Sequence, residues 1–169
     1  MTSNYSVIDP LFSCSSAVDE LNDDGMTEHP FPITYLPAVS VAIFHGGAFL
    51  LVKRGREPSK GLYAFPGGRV DVGESDEEAV RRELAEETGL TVATLQPLAE
   101  LHLPGAAGHP AFRLLVFRGY GPSGALQADD DAETAGWFGI EEMQRLPVIP
   151  SVLETAQGIV AAENAKQRR

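Results

Sequence analysis

Glu83, Glu86 and Glu87 stand at i, i+3 and i+4 in the run Arg82-Glu83-Leu84-Ala85-Glu86-Glu87-Thr88-Gly89-Leu90. In a helix that spacing puts all three carboxylates on one face, with Glu83 and Glu87 starting about 6 Å apart. Like charges that close repel one another unless a cation sits among them. An all-oxygen donor set suits a hard divalent ion such as Mg²⁺, which keeps several waters and so leaves room for phosphate oxygens. A solvated acidic helix face carries the same kind of charge run. Two features favour the metal. Arg82 can pair with Glu78 or Glu86 at i±4, which orients carboxylates rather than merely adding charge. Upstream, Phe65-Pro66-Gly67-Gly68 is a rigid then permissive turn able to bring backbone groups against the same ion.

The element that must hold these acids is a helix opening at Ser75. Ser75 can N-cap, Glu78 three residues on completes a capping box, and Gly89 is a natural left-handed stop. Ala79, Leu84 and Ala85 favour helix between those signals. Eight acids and two arginines fall between Asp71 and Glu87, so the segment is far more acidic than its surroundings. Ahead of it, Val39–Phe44 and Ala48–Val52 read as strands joined by the hairpin signal His45-Gly46-Gly47. Leu62–Phe65 reads as a short strand leading into the motif. After the helix, strands are expected over Thr94–Leu103 and Phe112–Tyr120, with a loop from Gly105 to Pro110 between them. An acidic loop carries Asp129-Asp130-Asp131-Ala132-Glu133. Trp137-Phe138 is expected to start a last short strand, with a short helix near Glu141–Arg145. Ser151 is expected to open the final helix, with Glu154 as its box partner and Val152, Leu153, Ala156, Ile159 and Val160 as its core stripe. Strands interleaved with a central and a terminal helix predict an α/β fold, an α/β/α sandwich around a mixed sheet.

At 169 residues and 43% hydrophobic, the chain fits one domain able to bury a core without staples. Residues 1–32 are polar and acidic with no sustained period, and are expected to form a flexible or surface-draped extension to a domain spanning 33–169. The alternative is that Tyr5, Val7, Ile8, Leu11 and Phe12 dock on a partner subunit. A net charge of −11 argues against general affinity for nucleic acid. Bound cations would still admit an anionic small molecule. Cys14 is the only cysteine, which excludes an intramolecular disulfide and a thiolate metal cluster. No apolar run reaches the length of a membrane span, and the N-terminus lacks a basic-then-apolar leader. A cytoplasmic protein, monomer or homodimer, is the expectation.

Gly68, five residues, Glu74, seven residues, then Arg82-Glu83-Leu84-Ala85-Glu86-Glu87-Thr88-Gly89-Leu90 resembles the complete signature box of the Nudix hydrolases, with every fixed position matched over twenty-three residues. Many members have Glu where this chain has Asp71, inside the variable five. Looser similarity runs from about Pro37 to Ala161. The resemblance implies the same sandwich and Mg²⁺-dependent hydrolysis of a pyrophosphate bond, with Mn²⁺ able to substitute. It implies that Glu83, Glu86 and Glu87 hold the metals with a carbonyl of Gly67, and that Glu83 or Glu87 aligns or deprotonates water. Glu74 and Arg82 are then orienting groups. Family members often add an acid from a downstream loop; Asp129, Asp130, Asp131 and Glu133 are the candidates, and an exposed turn is an equal reading of each.

The implied substrate is a small nucleotide: ADP-ribose or a related nucleoside diphosphate derivative, or a nucleoside triphosphate. Arg54 and Arg56, just upstream of the box, could grip its distal phosphate or sugar. Phe112, Tyr120 and Trp137 could stack a base, although aromatics on strands are usually core. His102 and His109 flank a loop near the expected site and are assigned no role. Pro104 lies roughly where ADP-ribose-cleaving members carry a proline. The alternative function is a non-catalytic nucleotide-sugar sensor on the same fold. The intact glutamates and the lack of a DNA-binding domain beside them count against it. An isopentenyl-diphosphate isomerase would need a reactive cysteine, and Cys14 sits outside the core.

Overall fold

A computed structural model of the chain describes residues 6–7, 34–57, 59–105, 110–127 and 132–168, without the side chains of 6, 7, 132 and 133. Eight strands and three helices occur among them, in the order β1 (Ser6–Val7), β2 (Tyr35–His45), β3 (Ala48–Arg54), β4 (Tyr63–Ala64), β5 (Gly67–Arg69), α1 (Asp76–Thr88), β6 (Leu90–Leu103), β7 (Ala111–Gly124), β8 (Ala132–Gly139), α2 (Ile140–Met143) and α3 (Pro150–Gln167).

The sheet is mixed. Its spatial order is β1-β6-β7-β2-β3-β4, with β5 beside β2 and β8 beside β3. The β2–β7 pair is parallel, from Tyr35↔Ala111 to Ile43↔Gly119, and the other pairs are antiparallel. Alternation along the central strands splits the core into two layers, as period-2 patterning requires. Val39, Val41, Ile43 and Leu50 face α1, where Ala79, Val80 and Leu84 close one layer. Ala42, Phe49, Leu51 and Val116 face the opposite side, closed by Met143 of α2 and by Ala156 and Ile159 of α3. The expected α/β/α sandwich is the observed architecture.

Four details differ from the sequence reading. A three-residue strand, β5, forms from Gly67-Gly68-Arg69, a segment with little strand propensity, because its backbone pairs with β2 at Ala38, Val39 and Ser40. The strand containing Trp137 and Phe138 begins at Ala132, so the aromatics end it rather than start it; pairing with β3 from Arg54 to Ala48 carries the less apolar residues before them. The last helix starts at Pro150, not Ser151. Its N-cap is Ile149 with no side-chain bond, and proline supplies the fixed φ at its first turn. Both β6 and β7 are longer than expected, 14 residues each, because they pair along nearly their whole length.

Ser6 and Val7 pair with Glu100 and Ala99, on the outer side of β6. The rest of the expected extension lies outside the described residues. No helix among the described residues is long and apolar enough to cross a membrane.

Candidate active site

The acidic segment folds as its local chemistry dictates. Ser75 Oγ accepts from the Glu78 amide, and the Glu78 carboxylate accepts from the Ser75 amide at 2.9 Å, so the capping box is closed. The Ser75 hydroxyl also donates to the Glu78 carboxylate at 2.6 Å, and this bond, followed by the one from the Ser75 amide, holds the Glu78 carboxyl below its ordinary range. At the other end Gly89 takes φ 68° and its amide reaches the Ala85 carbonyl, a conformation glycine adopts without steric cost. Between the caps, Ala79, Val80, Leu84 and Thr88 are buried against the sheet. Arg113 of β7 pins the first turn, donating to both Asp76 carboxylate oxygens at 3.0 and 2.9 Å.

That packing decides where the acids point. Glu83 follows buried Ala79 by one turn and precedes buried Leu84, so its carboxylate is drawn toward the sheet and is only 16% exposed. It meets Gly68 of β5 so closely that a side-chain carbon at Gly68 would overlap its carboxylate. Burial pushes the Glu83 carboxyl above its ordinary value, and the opposing hydrogen bond from Arg82 does not cancel this. Glu87 is half-buried and accepts from the Gly67 amide at 2.9 Å. Glu86 is exposed.

Arg82 ties the group together. Its Nε and Nη2 donate to the two oxygens of Glu74, both at 2.9 Å, and Nη1 donates to Glu83 at 2.9 Å and to Glu86 at 3.2 Å. Nη2 also donates to the Arg69 carbonyl at 3.0 Å, and Asp71 stands 4.0 Å away. The planar guanidinium thus serves three carboxylates and one backbone group at once. The bond to Glu74 does most to push the Arg82 pKa further up and draws the Glu74 carboxyl down. Of the two expected helix partners, Glu86 is the one engaged; Glu78 is occupied in the capping box. Asp71, inside the variable five, also helps fix the loop: its amide donates to the Glu74 carboxylate at 3.1 Å.

Gly67, Glu74, Arg82, Glu83, Glu86 and Glu87 are therefore brought together. Arg54 ends β3, where its backbone bonds Leu62 and Gly61 across the following loop, and Arg56 lies exposed in that loop. Glu133 belongs to β8, next to β3, while Asp129, Asp130, Asp131 and His109 lie outside the described residues. His102 makes an edge contact with Tyr35 and stands 3.6 Å from Glu100.

Among the described residues, no three acidic, histidine or cysteine side chains already converge as a closed metal cage. The donor set nonetheless fits a hard dication: carboxylate oxygens only, one of them mostly enclosed, against a glycine whose missing Cβ leaves it room. The helix face thus offers carboxylates held by arginine and by a backbone amide.

A sandwich with this helix set against a glycine-pair strand is a recognisable class of domain. The NUDIX domain family model matches residues 34–156, and the chain belongs to the Nudix family. It is 39% identical over 114 residues to an ADP-ribose pyrophosphatase of Methanocaldococcus jannaschii, covering 65% of this chain and 66% of that protein. It is 31% identical over 125 residues to the NAD-capped RNA hydrolase NudC of Pseudomonas aeruginosa, covering 73% of this chain but 43% of that protein. In structure it resembles a MutT NUDIX hydrolase from Burkholderia pseudomallei, with a TM-score of 0.65 and 29% identity over 70% of this chain and 93% of that one. The matched region thus spans from under half to about two thirds of these two curated relatives.

Proposed function

We propose that this chain is a pyrophosphohydrolase that uses Mg²⁺, with Mn²⁺ able to substitute, to cleave the diphosphate of a nucleoside diphosphate linked to a second moiety. The observation that carries the proposal is the Arg82 guanidinium shared among Glu74, Glu83 and Glu86 beside the Gly67–Glu87 bond. ADP-ribose is the foremost substrate. ADP-ribose and NAD, which appear in the names of two relatives, each contain an ADP unit joined through its diphosphate to another moiety.

Glu83, Glu86, Glu87 and a carbonyl of Gly67 would hold the metal. When bound, a dication neutralises charge on the phosphate oxygens and makes a water more acidic. Arg82 holds Glu83 and Glu86 in one orientation and offsets their repulsion. Glu83 or Glu87 aligns the attacking water and takes its proton as the water oxygen bonds to phosphorus and the bridging P–O bond breaks. Gly67 steadies Glu87 through its amide. Arg54 and Arg56 grip the distal phosphate or sugar, and Asp130 or Glu133 assists as an extra ligand or base.

The test is a panel of ADP-ribose, NADH, a nucleoside triphosphate and a dinucleoside polyphosphate with Mg²⁺ or Mn²⁺, the products identified by mass. AMP and ribose 5-phosphate from ADP-ribose are expected. Binding of ADP-ribose without turnover in either metal would instead identify a non-catalytic sensor.

A further inference from the structure

Residues 70–75 join β5 to α1 and carry Glu74, whose carboxylate accepts from Nε and Nη2 of Arg82. At the start of this loop the Val70 amide donates to the Pro37 carbonyl of β2 at 3.1 Å. Just past its end, both Asp76 carboxylate oxygens accept from Arg113 Nη2 of β7, at 3.0 and 2.9 Å. Pro37 and Arg113 stand opposite each other in the parallel β2–β7 register. The loop that presents Glu74 to Arg82 is thus tied at both ends to one cross-strand pair.

Arg113 is itself firmly held. Its strand lies between β2 and β6, with Pro37 opposite on one side and His102 on the other. Alternation along β7 puts it on the α1 side of the sheet, with Leu115. Glu100 of β6 accepts from Nη1 at 3.4 Å, and His102 stands 3.6 Å from the same carboxylate. Arg113 and Asp76 are 33% and 28% exposed, so their two charge-assisted bonds are partly shielded from water. Arg113 bonds none of Glu83, Glu86 and Glu87. Arg81 offers a contrast. It too ties α1 to the sheet, donating to the Val92 carbonyl of β6 at 2.8 Å, but its other bonds go to Glu77 on the same helix. They reach no residue of the loop.

We propose that Arg113 is a positioning residue for the carboxylate site. By fixing the first turn of α1 to the place that also holds Val70, it sets where Glu74 meets Arg82. Through Arg82 it sets how Glu83 and Glu86 are presented to a divalent cation. The proposal rests on the hydrolase reading for the cation, and it gives a residue of the central sheet, outside the acidic segment, a part in metal binding.

Mn²⁺ is titrated into the metal-free full chain, and free Mn²⁺ is read by electron paramagnetic resonance, which needs no turnover. Removing Arg113 makes the chain more negative, and charge alone would then tighten binding of a cation. The positioning role predicts the opposite sign. Arg113→Ala should bind Mn²⁺ about 10-fold more weakly, the lower end of what losing a ligand-orienting partner costs. Arg81→Ala removes the same charge and another tie of α1, and should keep wild-type affinity even where its unfolding temperature falls. Arg113→Lys should recover part of the loss, because an ammonium can still meet Asp76 but not Glu100 as well. Arg113→Ala combined with Asp76→Ala should bind no more weakly than the worse single variant, since both act through one contact. If Arg113→Ala does not fold, Arg113→Met keeps the packing stem without the guanidinium and is read in its place. Unchanged or tighter binding by the folded variant overturns the proposal, as does an equal loss in Arg81→Ala. A wild type that binds Mn²⁺ but hydrolyses no diphosphate sinks the hydrolase reading, and the titrations still decide the role of Arg113. A wild type that binds no Mn²⁺ sinks both.

Discussion

Arg82→Ala removes the centre of the carboxylate site, and its consequences can be sized from the contacts. The bonds to Glu74 and Glu83 carry the stability effect, since both carboxylates are 16% exposed and Arg82 28%. Glu83 is the one set against the sheet at Gly68, and its bond can be sized. A hydrogen bond to a charged group of this kind is worth about 1.5–3 kcal/mol. Glu86 is 46% exposed, so its pairing adds little. For a domain of this size each kcal/mol shifts the unfolding midpoint by about 2–4 °C. Arg82→Ala should therefore unfold about 3–12 °C lower in metal-free buffer, read by calorimetry. With Glu83 and Glu86 no longer oriented, turnover should fall roughly 10- to 100-fold, with weaker metal activation. Raised Mg²⁺ should restore part of the rate. Arg82→Lys should recover part of both losses, since an ammonium restores the charge and cannot reproduce the bidentate grip on Glu74. If metal activation is unchanged and only KM rises, Arg82 contacts the substrate phosphate, and its orienting role is wrong.

Three further outcomes follow from particular contacts. Gly68→Ala places a methyl group against the Glu83 carboxylate, so metal activation and turnover should both drop while circular dichroism stays native; a fully active variant would contradict the close approach. The capping box makes Glu78 stabilising in its charged form, because its folded pKa is lowered. That stability is complete above the unfolded value of 4.5 and fades as pH falls through the lower folded value, so the Tm gap between wild type and Glu78→Gln should close on acidification. A gap that stays constant down to strong acid would refute the assignment. Among the described residues, deleting 1–30 removes only β1, which pairs with two residues of β6, and should leave a folded protein with similar turnover; an insoluble or inactive product would show that the segment is structural.

Much of this molecule is legible in its sequence because its signals are local. Ser75, Glu78 and Gly89 mark α1 at both ends through bonds spanning three or four residues, and the helix period alone puts Glu83, Glu86 and Glu87 on one face. The Arg82–Glu74 pairing spans eight residues through a loop, beyond the reach of helix periodicity, and the family likeness implies both as orienting groups without pairing them. β5 could not be read from Gly67-Gly68-Arg69, since its strand character comes from the backbone of β2. The same is true of β8, whose first residues are held by β3. Ser151 and Glu154 carry a capping pattern, yet Pro150 begins the helix one residue earlier and leaves it unused.

The central claim, that these carboxylates work by holding a divalent cation, is tested most directly with Glu87→Gln. The amide oxygen can still accept from the Gly67 amide, as the carboxylate does at 2.9 Å, so the fold contact survives and the charge alone is lost. Wild type and variant are stripped with chelator, Mg²⁺ is titrated back, and release of AMP from ADP-ribose is followed. The wild type should be inactive when stripped and saturably restored. Glu87→Gln should remain at least about two orders of magnitude slower at saturating metal, as loss of a charge-stabilising group entails. Full wild-type activity in excess chelator, or a near-normal rate for Glu87→Gln, would contradict the metal mechanism.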